Sequence, residues 1–131
     1  NLIQDHLFVG IFPALQEAGI AALLDPKSEE AVAQLNATYD SRRDAFVQAA
    51  AKIGWKAFPS KGSFYAWMPV PEGYTSESFA DLLLEKAHVA VAPGKGFGPA
   101  GDAYVRIGLL VEPERLVEAV NRIANLHLFN N

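Results

Sequence analysis

From Pro13 to Leu24 the apolar positions Leu15, Ala18, Ala22 and Leu23 recur at spacings of three and four, which predicts a helix with proline tolerated in its first turn. Asp25-Pro26 interrupts it: proline disfavours helical geometry in the residue before it, and aspartate is a good N-cap, so the pair ends one helix and opens another. In the second helix Val32, Leu35, Tyr39, Phe46, Ala50 and Ile53 follow a nearly heptad spacing until Gly54 offers a left-handed stop. Arg42 and Arg43 fall inside it, where water or nearby acids account for them. Beyond Gly54 the period becomes alternating. Trp55–Phe58 and Ser63–Met68 are expected to be short strands, paired as an antiparallel hairpin through Pro59-Ser60-Lys61-Gly62. Pro69, Pro71 and Gly73 close the second of them. Thr75 or Ser76 caps the next helix, and if Thr75 is the cap, Tyr74 and Phe79 are spaced as a hydrophobic staple. That helix is buried through Phe79, Leu82, Leu83 and Ala87. A strand over His88–Ala92, ended by Pro93-Gly94, leads through a glycine-rich loop to a last strand, Ala103–Leu110. Pro113 starts a final helix buried through Leu116, Val120, Ile123 and Leu126.

The order α–α–β–β–α–β–β–α, without internal repeats, predicts an α+β two-layer sandwich: a small, mostly antiparallel sheet with helices packed on one face. Residues 1–24 do not fit these layers and are expected to form a strap and helix belonging to something else, leaving 25–131 as the layered domain. The chain opens on Asn1 rather than methionine, and Leu7-Phe8-Val9-Gly10-Ile11-Phe12 has nothing visible to cover it. The expectation is a chain that starts within a longer protein.

Composition narrows the chemistry. With 131 residues, half of them apolar and a fifth charged, the chain has the size of one ordinary domain. No apolar run approaches the ~20 residues needed to cross a bilayer, and no positively charged leader opens the chain, so a soluble, cytoplasmic protein is expected. A net charge of −4 with interspersed signs offers no basic stripe for nucleic acid. The absence of cysteine removes disulfides and thiolate chemistry. His6, His88 and His127 are too scattered for a metal site. No serine lies in a nucleophile elbow and no carboxylates form an obvious catalytic pair. The loop Gly94-Lys95-Gly96-Phe97-Gly98 is followed by a strand rather than a helix and lacks Gly-Lys-Ser/Thr, so neither a dinucleotide fingerprint nor a Walker loop applies.

What remains is Arg106, set between Val105 and Ile107 on the last strand. A guanidinium desolvated without a partner is costly, so such a strand has to supply an anion or expose the group to water. A carboxylate from a neighbouring element is the ordinary answer. The other is the carboxylate of a small molecule, gripped by two parallel hydrogen bonds from the planar fork.

Several local patterns occur in one order: Gly62-Ser63-Phe64-Tyr65-Ala66-Trp67, Leu82-Leu83-Leu84, Val89-Ala90-Val91-Ala92-Pro93-Gly94, Phe97-Gly98 and Tyr104-Val105-Arg106-Ile107. Together they resemble the C-terminal small domain of class I/II pyridoxal-phosphate-dependent aminotransferases of fold type I. Upstream, Pro13-Ala14-Leu15-Gln16 and Ala21-Ala22-Leu23 resemble the segment that returns the chain from the large domain. Within the family the chain is similar to bacterial transaminases of methionine salvage, which implies amination of 4-methylthio-2-oxobutanoate to methionine.

The resemblance implies that Arg106 binds the α-carboxylate of an amino or 2-oxo acid and that Phe64 lies near the substrate side chain. It also implies pyridoxal phosphate and a homodimer for the full-length enzyme. Tyr65 and Trp67, opposite in parity to Phe64, are expected to be packing residues. The family's Schiff-base lysine, its pyridine-pairing aspartate and its phosphate-binding groups precede the matched part. Lys27, Lys52, Lys56, Lys61, Lys86 and Lys95 stand in none of the corresponding contexts, and Lys95 reads as a loop lysine. The chain by itself is therefore expected to carry no catalytic or cofactor-binding residue, to bind no cofactor and to be inactive. The competing view is a free-standing α+β module that senses a carboxylate through Arg106 and associates through its helical face. It differs in requiring residues 1–24 to pack on the chain's own core, whereas a fragment leaves Leu7, Phe8, Ile11 and Phe12 uncovered.

Overall fold

A computed structural model describes residues 10–58 and 60–129. The chain divides into two compact units, Asn1–Ala37 and Thr38–Asn131. The first contains helix α1 (Pro13–Leu24) and the start of helix α2 (Ser28–Lys52). Phe12 precedes α1 without a side-chain cap, and Pro13 occupies its first turn. Asp25 ends α1 in an extended conformation, and its carboxylate accepts the Lys27 N–H at 2.8 Å, so the interruption works as its residues dictate. No residue of α1 is buried. Ile11 and Phe12 are exposed, while the same expectation for Leu7 and Phe8 lies outside the described residues.

The second unit holds the core. At the end of α2, Gly54 adopts φ 80°, the Trp55 N–H bonds to Ala50 O and the Gly54 N–H to Ala51 O, a Schellman closure that only a residue at ease in the left-handed region makes cheaply. It turns Trp55 into the centre of an aromatic cluster with Phe46, Phe79 and Phe129, whose ring centroids lie 6.4, 5.9 and 5.0 Å from its own. The indole Nε1–H donates to Pro69 O at 2.8 Å, which satisfies the one polar atom such a burial would otherwise orphan.

This corrects the expected hairpin. Residues 55–58 form no strand, because Trp55 is drawn into the core rather than left to alternate beside a neighbour. The sheet has three strands in the order β1-β3-β2, all antiparallel: β1 (Tyr65–Pro69), β2 (Ala92–Pro93) and β3 (Tyr104–Gly108). The expected strand over His88–Ala92 shrinks to Ala92–Pro93. Helix α3 (Ser76–Leu82) widens into a π-turn over Leu83–Ala87, and His88 closes it at φ 56° with the Val89 N–H bonded to Leu83 O, which uses up the start of the strand. Thr75 is the N-cap of α3, with Ser78 completing a capping box, and the Tyr74 and Phe79 rings meet at 6.0 Å as the staple requires.

Helix α4 (Pro113–Ala124) buries Leu116, Val120 and Ile123. They pack with Phe46, Ala50, Phe79 and Leu83 against Ala66, Met68, Val105 and Ile107, the inner face of β1 and β3. The α+β arrangement with helices on one face of a small antiparallel sheet is thus realised. The other face of the sheet carries Tyr65, Trp67 and Arg106.

Candidate carboxylate-binding site

Alternation along β3 sends Val105 and Ile107 into the core and Arg106 to the opposite face. Because β3 is the central strand, Arg106 is held from both sides, opposite Trp67 of β1 and Ala92 of β2. Residues directly opposite share a face, so Trp67 and, two positions away, Tyr65 stand beside the arginine. The guanidinium carbon lies 4.1 Å from the centroid of the Tyr65 ring and 4.1 Å from that of Phe97. Trp67 meets Phe97 edge-on at 5.6 Å and Tyr104 at 6.2 Å, which backs the arrangement with further aromatic surface. The guanidinium thus makes a cation–π contact with each of two rings, Tyr65 and Phe97, and its N–H donors suit an in-plane acceptor.

Arg106, Tyr65 and Trp67 line an open cleft of about 450 Å³ together with Phe58, Ser60 and Ser63. Ser63 Oγ already accepts the Tyr65 N–H at 3.1 Å, a local turn that sets the strand's entry. Among the described residues the ion pairs go to Arg42, Arg43, Lys95 and Arg122, and none goes to Arg106. The ordinary explanation for a strand arginine, a carboxylate from a neighbouring element, is not what these residues provide. Arg42 and Arg43 do meet acids, at Glu112 and at Asp40 and Asp44.

Phe64 lies just before β1, 40% exposed, and is not among the cleft residues. Its ring stacks obliquely on Tyr65 at 4.6 Å and on Tyr39 at 5.6 Å, so it adjoins the cleft through Tyr65. Tyr65 and Trp67, expected as packing residues, do pack on aromatic neighbours and in addition line the cleft beside Arg106. Their role was hidden because it depends on the pairing of β1 with β3, about forty residues away in sequence. Phe97 comes from a loop, where no periodicity announces a side chain's direction.

That loop consists of two 3₁₀ turns, Gly94–Phe97 and Pro99–Ala103, joined at Gly98 with φ 125°. Its arms touch: a Cβ on Gly94 would fall 2.1 Å from Gly101 O, and one on Gly101 would fall 2.1 Å from Gly94 O. The glycines serve this close approach rather than a phosphate. Lys95 is a loop residue whose Nζ pairs with Glu77 Oε2 at 2.8 Å. Ser76 bonds to Asp102, and its hydroxyl and N–H together hold that carboxyl below the ordinary carboxylate range.

The cleft residues include no lysine for a covalent link to pyridoxal phosphate and no carboxylate for a pyridine nitrogen, so by donor chemistry they do not fit that group unaided. No cluster of three or more His, Cys, Asp or Glu among the described residues could hold a metal ion. No helix among them is long and apolar enough to cross a membrane.

A model of the family described as aminotransferase class I and II matches residues 2–123. The chain is 58% identical over 129 residues to an L-glutamine–4-(methylsulfanyl)-2-oxobutanoate aminotransferase of Bacillus subtilis (strain 168), covering 98% of this chain and 32% of that relative. It is 45% identical over 121 residues to an LL-diaminopimelate aminotransferase of Moorella thermoacetica, covering 92% of this chain and 30% of that relative. Among solved structures, apo-BacF of Bacillus subtilis superposes with a TM-score of 0.88 at 42% identity, over 100% of this chain and 34% of that one. An aromatic aminotransferase of Pyrococcus horikoshii gives 0.75 at 38% identity, over 80% of this chain and 28% of that one. The chain therefore spans about a third of the length of the relatives it matches.

Proposed function

The chain belongs to the class I and II aminotransferases, and from that footing we propose that its parent protein transfers an amino group between an amino acid and a 2-oxo acid, with Arg106 receiving the carboxylate common to both. The observation that carries this reading is the guanidinium itself: flanked by Tyr65 and Phe97 at the cleft, and matched by no acid among the described residues. Two parallel hydrogen bonds from one fork grip a carboxylate more tightly and more selectively than a single point contact does. Phe64, adjoining through Tyr65, flanks the substrate side chain in this reading. Pyridoxal phosphate supplies the electron-accepting chemistry in the full-length enzyme, a homodimer in the cytoplasm, and the rest of that protein holds it.

The similarity to the Bacillus subtilis relative favours 4-(methylsulfanyl)-2-oxobutanoate as the acceptor, with methionine as product, a step of methionine salvage. The LL-diaminopimelate relatives supply the second reading. Kinetics of the full-length enzyme with each oxo acid decide between them. Replacing Arg106 with alanine in that enzyme should raise KM for the preferred oxo acid by about thirtyfold or more, the scale for removing one partner of a buried charged pair, while pyridoxal phosphate stays bound. Arg106→Lys should restore only part of the affinity, since an ammonium lacks the fork. Unchanged kinetics in Arg106→Ala would remove the residue from the site.

A further inference from the structure

Ser76 is fully buried at the start of α3, beside the glycine loop. Its hydroxyl donates to Asp102 Oδ1 at 2.7 Å and accepts the Lys95 N–H at 3.2 Å, while its own N–H donates to the same Asp102 oxygen at 3.2 Å. One serine therefore ties the loop's first arm, at Lys95, to its second arm, at Asp102. The backbone contact of Gly94 with Gly101 closes the same neck.

Phe97 lies between the two tied points. It is 51% exposed, so burial does not fix its ring, and its packing comes from Trp67 and the Arg106 guanidinium. Its place 4.1 Å from the guanidinium carbon depends on these contacts and on the loop backbone that carries it.

We propose that Ser76 and Asp102 are positioning residues for Arg106: by locking the Gly94–Ala103 loop they keep Phe97 against the guanidinium and so fix the plane of the fork that receives the substrate carboxylate. This rests on the reading of Arg106 as the carboxylate receiver. An arginine side chain has several rotatable bonds, and with one aromatic wall gone the fork samples more orientations, all but one of which are lost when a carboxylate binds. The carboxylate is present equally in the bound substrate and in the transition state. The effect therefore falls on KM and spares kcat.

The test uses the full-length enzyme that contains this segment. Asp102→Ala and Phe97→Ala should each raise KM for the oxo acid about fivefold to thirtyfold, the scale of one cation–π contact, with kcat changed less than about twofold. Asp102→Asn, which keeps an oxygen for Ser76, should recover most of the loss. A lowered Tm with unchanged KM in Asp102→Ala would overturn the proposal, as would equal losses in kcat and kcat/KM. Arg106→Ala separates the two claims. If it leaves KM unchanged, the carboxylate reading falls; if it raises KM while Asp102→Ala and Phe97→Ala do not, the positioning role alone falls. Should Asp102→Ala be insoluble, Ser76→Ala and Phe97→Ala decide. A KM rise in both supports the role, and a rise missing from Ser76→Ala overturns it.

Discussion

Helices α1 and α4 are each twelve residues long and each carry proline in the first turn, yet they bury opposite amounts of themselves. In α4 the apolar Leu116, Val120 and Ile123 fall on one stripe and are 4, 0 and 1% exposed, with Glu118 and Arg122 paired along the other side. In α1 only Glu17 is charged, apolar residues run all round, and Leu15, Ile20, Leu23 and Leu24 are all at least half exposed. Segregation of apolar residues, more than their number, decides what a helix can bury against a single neighbour. A helix apolar on every side is written for cover on more than one side. The chain that carries it spans about a third of the length of the relatives it matches.

The largest test of this contrast sets Trp55 against Leu23. Trp55→Ala removes the centre of the aromatic cluster and should cost about 3–5 kcal/mol in urea unfolding of the 131-residue chain. Leu23→Ala, at a position 82% exposed, should stay within about 0.5 kcal/mol. Comparable costs would mean that α1 packs as α4 does, and the contrast would break. A smaller effect sharpens the picture inside the second unit. Thr75→Ala removes the side-chain cap of α3 and should cost about 1 kcal/mol, read as a shift of the same urea midpoint without a change in slope.

The smallest effect is electrostatic. Hydrogen bonds from Ser76 lower the Asp102 pKa in the folded chain, so its contribution to stability is present above the ordinary carboxylate pKa and is lost as pH falls through the folded value. Urea midpoints of the parent chain and Asp102→Asn should therefore differ at neutral pH and converge in acid. A difference that grows on acidification would reverse the sign and show that the Ser76 hydrogen bonds do not favour the ionised carboxylate.

Legibility in the sequence followed the distance over which each signal acts. Gly54 announced the end of α2, and Thr75 with Tyr74 and Phe79 announced the start of α3, because capping and stapling involve residues within one turn of each other. Trp55–Phe58 misled for the opposite reason: its alternation is local, but the burial of Trp55 and its bond to Pro69 are tertiary, and they overrode it. The site divided in the same way. Arg106 stood out as a charge on an apolar strand. Tyr65, Trp67 and Phe97 did not, since an aromatic on an alternating strand or in a loop reads as core until the pairing of β1 with β3 and the closure of Gly94 on Gly101 are known.

The strict in-and-out order of β3 limits how genes encoding this segment can diverge in length. Inserting a single codon between Tyr104 and Val105 would exchange the two faces of the strand, driving a permanent cation among Met68, Val120 and Leu116 and turning Val105 toward the cleft. The turns on either side of Gly98 face no such parity rule. Length variation among viable relatives should therefore accumulate around residues 98–100, between Phe97 and the tied Gly101 and Asp102, and stop short of the strand, which makes the strand the frame against which this loop can be remodelled.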